Sequence, residues 1–292
     1  MKHAVLFLSL ALVSTVLAAD AEVIDYDKPR KIAALTDPAI EESSGLAWSW
    51  ENADILWTCN DSGDSARFFA VNLTGTYMGE YRVEGDNKDW EDMSSFRTER
   101  ENYLLLADVG DNDEKRTDYK LYIVKEPALK KKPQLGKVDT LKPFAVMPFT
   151  YEDGKHNCEA VGVDVKSGKI ILVSKVLGLS CKAYELPLPL RREKGPFVAK
   201  PIATLNLPVV TAMDISPDGL RAMVLTYGDA YEYTRGEKES WADAFARKPR
   251  VIEMPLRRQG ETICYGADGK TLYLTSEGRN CPLYMVPVKK KE

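Results

Sequence analysis

Residues 41–63 read EESSGLAWSWENADILWTCNDSG. A short alternating run crosses a polar turn, enters a second β-rich run and stops at an Asn-Asp-Ser-Gly loop, the outline of a hairpin. The outline returns in residues 90–112 (WEDMSSFRTERENYLLLADVGDN), 158–175 (CEAVGVDVKSGKIILVSK), 211–229 (TAMDISPDGLRAMVLTYGD) and 261–278 (ETICYGADGKTLYLTSEG). A third run carrying an aromatic follows each: RFFAVNL, YKLYIVKE, KAYELPL, AYEYT and PLYMVPV. Four repeats go on to a fourth run, TYMGEYRV, KPFAVMPFTY, KPIATLNLP and KPRVIEMPL.

The opening positions Glu42, Glu91, Glu159, Thr211 and Glu261 are spaced by 49, 68, 52 and 50 residues. A period in this range signals a propeller or solenoid rather than a sandwich. The expected fold is all-β, a β-propeller of four-stranded antiparallel blades. Five blades account for the repeats, with six as the alternative if one blade is degenerate. The last repeat lacks its fourth strand, and RKIAALTD at 30–37 is a spare strand able to complete it and close the ring. The long interval is read as an insertion in the Lys/Pro-rich stretch 126–138. One helix is expected, within GEKESWADAFARK, capping the outside of the ring.

Lys2 and His3 precede an apolar run from Ala4 to Ala18, too short for a bilayer span of about 20 residues. With small residues following, it reads as a secretory signal peptide over 1–19, leaving 20–292 as a single propeller domain that is secreted or periplasmic. No later run is long enough to span a membrane. In that oxidising setting the matched motifs CKAYELP and CPLYMVP suggest disulfides Cys158–Cys181 and Cys264–Cys281, with Cys59 free. The alternative is five small buried hydrophobes.

The 292 residues hold 40 basic and 44 acidic side chains, a net charge of −4 that argues against a nucleic-acid polymer as partner. With only two histidines, multi-histidine zinc sites are excluded, and any Ser-His-Asp triad would depend on His156.

In a propeller, first strands line the central channel, and their starts share a face with the loops after the second strands. Glu42, Glu91, Glu159, Thr211 and Glu261 therefore converge with Asn60-Asp61, Asp108, Lys175, Tyr227 and Glu277 on one rim. Four carboxylates facing a narrow channel need shared protons or a cation. Calcium suits them, since it takes six to eight oxygen ligands in flexible geometry. Ser44 replaces Glu42 if the first blade is offset by two residues. Otherwise the glutamates tie blades together through strand amides.

Asp61 and Asp108 are candidate general bases, and Lys175 and Arg116 candidate anion-binding cations, for a small anionic substrate. The clusters 60–64, 89–92 and 108–112 are denser than turn chemistry requires. Trp90, Tyr227 and Tyr231 are placed either to stack on a ligand or to wedge between blades. Two functions fit: a calcium-dependent hydrolase of phosphoesters, phosphoanhydrides or other esters, or a non-catalytic propeller, monomeric in either case, that holds an extracellular ligand.

ESSGLAW, WTCNDSG, DWEDM, ADVGDN, NCEAVGVD, VSK, TAMDISPDG and SEG, taken in order, resemble a family of secreted bacterial β-propeller proteins of no settled activity. The match runs over about residues 38–288, departing at Cys158 and Leu225. A looser, architectural resemblance is to the calcium-activated nucleotidases, or apyrases. It implies a central calcium held by glutamates and hydroxyls at first-strand starts, which look like Ser44 (or Glu42), Glu91, Glu159, Thr211 and Glu261. Asn60-Asp61 falls where that family has paired aspartates.

Overall fold

The computed structural model describes residues 21–129, 138–189 and 195–290. The expected signal segment, 1–19, lies outside them, as do residues 130–137 of the Lys/Pro-rich insertion. Strand β1 spans Arg30–Ala34. A first meander follows with β2 (Ser43–Trp48), β3 (Ile55–Asn60), β4 (Arg67–Asn72) and β5 (Tyr77–Val83). Next come β6 (Trp90–Arg97), β7 (Asn102–Asp108) and β8 (Tyr119–Lys125), then β9 (Asp139–Leu141) and β10 (Ala145–Tyr151). A third meander holds β11 (Cys158–Asp164), β12 (Lys169–Ser174), β13 (Cys181–Pro187) and β14 (Phe197–Leu205). The fourth has β15 (Val210–Ile215), β16 (Arg221–Thr226), β17 (Ala230–Thr234), α1 (Trp241–Phe245) and β18 (Arg250–Ile252). The last contains β19 (Cys264–Tyr265), β20 (Leu272–Leu274) and β21 (Pro282–Val286).

Within each meander the strands pair antiparallel in chain order, with one exception that closes the molecule. β1 pairs antiparallel with β21, so the last meander runs β19, β20, β21, β1 from inside to outside. The spare N-terminal strand therefore takes the missing fourth place. Outer strands also make parallel contacts: β10 joins β14, and β9, which follows the insertion, joins β5. Period-2 patterning could not show these, because it marks strands without saying which outer edges meet.

The innermost strands β2, β6, β11, β15 and β19 succeed one another around a closed circuit. Five apolar layers fill the gaps between successive meanders, built around Trp57 and Leu104, Leu105 and Leu172, Val173 and Val224, Leu225 and Leu274, and Leu283 and Leu46. β3 is buried on both faces, and so reads as the unbroken run ILWTCN instead of an alternating one. Turns at the far end follow a shared recipe: Asp218 and Asp268 accept from the backbone N–H two residues on, and Gly219 and Gly269 adopt φ of +70° and +63°. Helix α1 starts where Ser240 accepts from the Asp243 N–H, and it buries Trp241 and Phe245 between the third and fourth meanders.

The expected disulfides are not formed: all five cysteines are free and buried. Cys158 lies on β11 and Cys181 on β13, with β12 between them, and they face different apolar layers. Cys264 on β19 and Cys281 before β21 are likewise separated by β20. Two strand spacings amount to roughly 9–10 Å, beyond the roughly 7 Å Cα separation a disulfide can bridge. No helix among the described residues is long and apolar enough to cross a membrane.

Candidate functional site

One irregularity recurs at the start of four inner strands. The pairing register slips between Ser43 and Gly45, Trp90 and Asp92, Cys158 and Ala160, and Val210 and Ala212. The extra residues are Ser44, Glu91, Glu159 and Thr211. A β-bulge breaks the strict alternation and re-aims one side chain, and here it does so at the rim of the channel. Ser44 therefore holds the repeated position in the first meander. Glu42, named for that place by the sequence spacing, lies two residues outside it, exposed and bridged to Glu277.

Glu91 is buried beside Asp61, from the β3–β4 loop, and Asp89, which precedes β6; an oxygen of each lies within 4.8 Å of the others. Gly110 closes the floor. A methyl group there would stand 2.2 Å from Glu91 Oε1 and 2.5 Å from Asp89 Oδ2, so any side chain at this place would push the two carboxylates aside. Val109 and Gly110 donate their N–H groups to the Asp89 carbonyl at 3.1 Å, fixing that approach. Burial raises all three carboxyls: Asp89 to about 6, with Asp61 adding to the rise, and Glu91 well above its usual range, with Glu159 adding to it.

Across the mouth, Lys175 Nζ lies 3.1 Å from Glu159 Oε2 and 3.8 Å from Glu261 Oε1. Tyr227 donates to Glu261 Oε1 at 2.8 Å, and its ring centroid is 5.1 Å from the ammonium. Burial works against the charge on Lys175, but the two glutamates overcome it and hold the lysine protonated. Asn157 donates to the other Glu159 oxygen at 2.9 Å and accepts from the Asp111 N–H at 2.7 Å, linking the Lys175 side to the Gly110 loop. Glu277 completes the rim, its carboxyl pushed up to about 9 by burial and by Glu261.

The remaining expected residues are engaged elsewhere. Thr211 turns its hydroxyl to the Gly260 carbonyl at 2.8 Å. Asp108 is fully buried and pairs with Arg116 at 2.7 Å, while Arg116 also donates to the Gly110 carbonyl. The two brace the loop beneath the mouth. The second Asp108 oxygen is buried with no hydrogen-bond partner among the described residues. His156 pairs with Asp153 at 2.9 Å and packs on Tyr151 and Tyr184, away from the carboxylates. Trp90 is a wedge: fully buried, it donates to the Asp86 carbonyl. Tyr231 packs against the apolar layer between the third and fourth meanders.

Two carboxylates deeper in the channel tie the inner strands together. Asp92 accepts from the N–H groups of Val161 at 2.8 Å and Met213 at 3.3 Å, on β11 and β15. Asp214 accepts from the Tyr265 N–H at 2.9 Å and from Ser94 at 3.3 Å. The strand-tying role considered for the glutamates belongs to these aspartates. Asp92 directly follows a bulge position, and the dense cluster 89–92 is the sequence signal that includes it.

The geometry has clear counterparts among solved structures. A gluconolactonase from Xanthomonas campestris aligns over 94% of this chain and 99% of its own, with TM-score 0.50 and 10% identity. A glucose dehydrogenase aligns over 90% of this chain and 100% of its own, with TM-score 0.52 and 10% identity. The fold is a β-propeller. No protein-family model matches the sequence, and no curated protein matches it. At this identity the likeness establishes the propeller alone, since one such scaffold hosts unrelated chemistries.

Proposed function

We propose that the upper mouth of this propeller binds a divalent cation, calcium by preference, and hydrolyses a small anionic ester or phosphoester in an extracytoplasmic compartment. The reading rests on one observation: Asp61, Asp89 and Glu91 gather within 4.8 Å of one another on the channel rim. Lys175 stands on the same rim, drawn into the channel by Glu159 and Glu261. Oxygen-only donors, no histidine among them, suit a hard cation. The raised carboxyls fit as well, because crowded buried acids gain most from a compensating charge.

Bound there, the cation would polarise a substrate oxygen and lower the pKa of a water. Asp89 and Glu91, the latter buried and fixed by its bulge, would be its anchors. Asp61 is only partly buried, and burial raises its carboxyl, so it holds a proton more readily than an exposed aspartate, as a general base requires. Lys175 would hold the anionic group of the substrate, and Asn157 keeps Glu159 turned toward Lys175. Asp108 and Arg116 serve as the brace of the loop. The gluconolactonase among the structural neighbours supplies an example of a lactone-directed enzyme on this scaffold, without assigning that substrate here.

The second reading, a non-catalytic propeller with a structural calcium, draws on the Asp108–Arg116 pair, which occupies two of the four residues expected for catalysis. One experiment separates them. Thermal unfolding with EDTA and with graded CaCl2 should show a rising midpoint that Asp89→Asn and Glu91→Gln abolish. A panel of chromogenic esters, lactones and phosphoesters should then show turnover that requires calcium and Lys175. A midpoint indifferent to calcium overturns the proposal; a calcium shift without turnover leaves the binding propeller.

A further inference from the structure

The opposite end of the channel holds a cavity of about 410 Å3, lined by residues of the lower turns and the ends of inner strands. A pocket of this size suits a small organic molecule. Its walls combine aromatic surface from Trp50, Phe96 and Tyr265 with Arg97, Lys166 and the hydroxyl of Ser95. None of these polar groups serves the upper mouth.

Two observations give the cavity a chemical preference. The Arg97 guanidinium lies 4.7 Å from the Trp50 ring centroid and forms no ion pair among the described residues. Three acids line the wall: Glu99, which is exposed and forms no ion pair with Arg97 among the described residues, and Asp164 and Asp214. Asp164 is fully buried and spent on Arg235 and Trp241, and Asp214 on the Tyr265 and Ile215 N–H groups. What remains is an aromatic shelf with an unpaired guanidinium laid over it, a setting that recognises a planar anion by stacking and charge-assisted hydrogen bonds.

We infer that this lower mouth is a second ligand site, separate from the carboxylate rim, which takes a small anionic molecule with a planar aromatic face. Arg97 and Trp50 select the ligand. Arg97 is exposed, so a substitution there reports on binding with little effect on folding.

The test is a fluorescence titration of the full chain with 8-anilinonaphthalene-1-sulfonate, an aromatic anion, in EDTA, so that calcium at the other mouth plays no part. Saturable binding is expected, weakened by Arg97→Glu at least about tenfold, the factor that 1.4 kcal/mol represents. Trp50→Leu should weaken it similarly, while Lys175→Ala should leave it as in the unsubstituted chain. Absence of saturable binding overturns the inference, and so does equal binding by the Arg97→Glu variant or loss caused by Lys175→Ala. Should Trp50→Leu fail to fold, Arg97→Glu decides alone.

Discussion

Lys175 and Glu159 meet at 3.1 Å across the open end of one hairpin, Glu159 at the start of β11 and Lys175 just after β12, beside the paired Cys158 and Ser174. The contact arises because the bulge turns Glu159 out of the strand alternation and into the channel, under the loop that β12 feeds. Replacing Lys175 by Met leaves Glu159 and Glu261 buried without their cation. Stability should fall by about 2–3 kcal/mol, less than the roughly 3–5 kcal/mol of a fully buried pair because the lysine keeps some exposure. Urea unfolding at pH 7 checks this, and adding Glu159→Gln should restore part of the loss.

The acidic rim sets a pH dependence of known sign. Asp89, Asp214 and Glu277 have carboxyls raised to about 6, about 7 and about 9, burial being the first cause in each. A group that holds its proton more tightly when folded removes stability as pH climbs from its unfolded pKa to its folded one. In EDTA the thermal midpoint should therefore decline from about pH 4, the unfolded carboxyl value, toward the Glu277 value of about 9 and level off above it. The calcium-induced rise should grow through about pH 6 as Asp89 gives up its proton. A midpoint that climbs across this interval in EDTA would contradict the assignment.

Gly110 tests the floor of the mouth. Ala at this position sets a methyl against Glu91 and Asp89 at 2.2 and 2.5 Å. It should remove the calcium-dependent shift at a cost of about 1–3 kcal/mol in the metal-free protein, as overpacking does. Gly63 provides the control: its φ is +86°, but nothing lies within 4 Å of a methyl there. Gly63→Ala should lose about 1 kcal/mol through backbone strain and keep the calcium shift.

Asp92 tests the ties of the ring. Its carboxyl accepts backbone N–H groups from three inner strands, those of Met93, Val161 and Met213. Asp92→Asn turns an amide N–H toward donors and should cost about 1–3 kcal/mol, with the calcium shift retained. Differential scanning calorimetry with and without CaCl2 separates the two effects.

The architecture was readable because each repeat restates it. The alternating starts, the Asp-Gly turns and the aromatic third runs recur about every 50 residues, and the missing fourth strand pointed to RKIAALTD. The mouth was readable as a neighbourhood, since strand starts and loops share one end of the ring. Partnership was not. Thr211 matches Glu159 in sequence, yet its short hydroxyl reaches only the Gly260 carbonyl. Arg116 and Asp108 pair with one another because burying either charge alone is too costly. The cysteine pairing failed for a simpler reason: matching places in a meander lie two strands apart, and sequence similarity between repeats carries no information about distance across a sheet.

The closing joint has a bearing on how the chain comes into being. β1 is the first described strand to be synthesised and its partner β21 the last, so the joint has the longest sequence separation of any strand pair described. Until residues 282–286 exist, Arg30–Ala34 has no edge to join, and every intermediate is an open arc with bare strand edges at both ends. Completion is thus a late, post-synthetic event with a slow loop closure built into it. A nascent or truncated chain lacking the final strand would expose such an edge to its neighbours, and self-association of incomplete chains is the hazard this molecule must outrun.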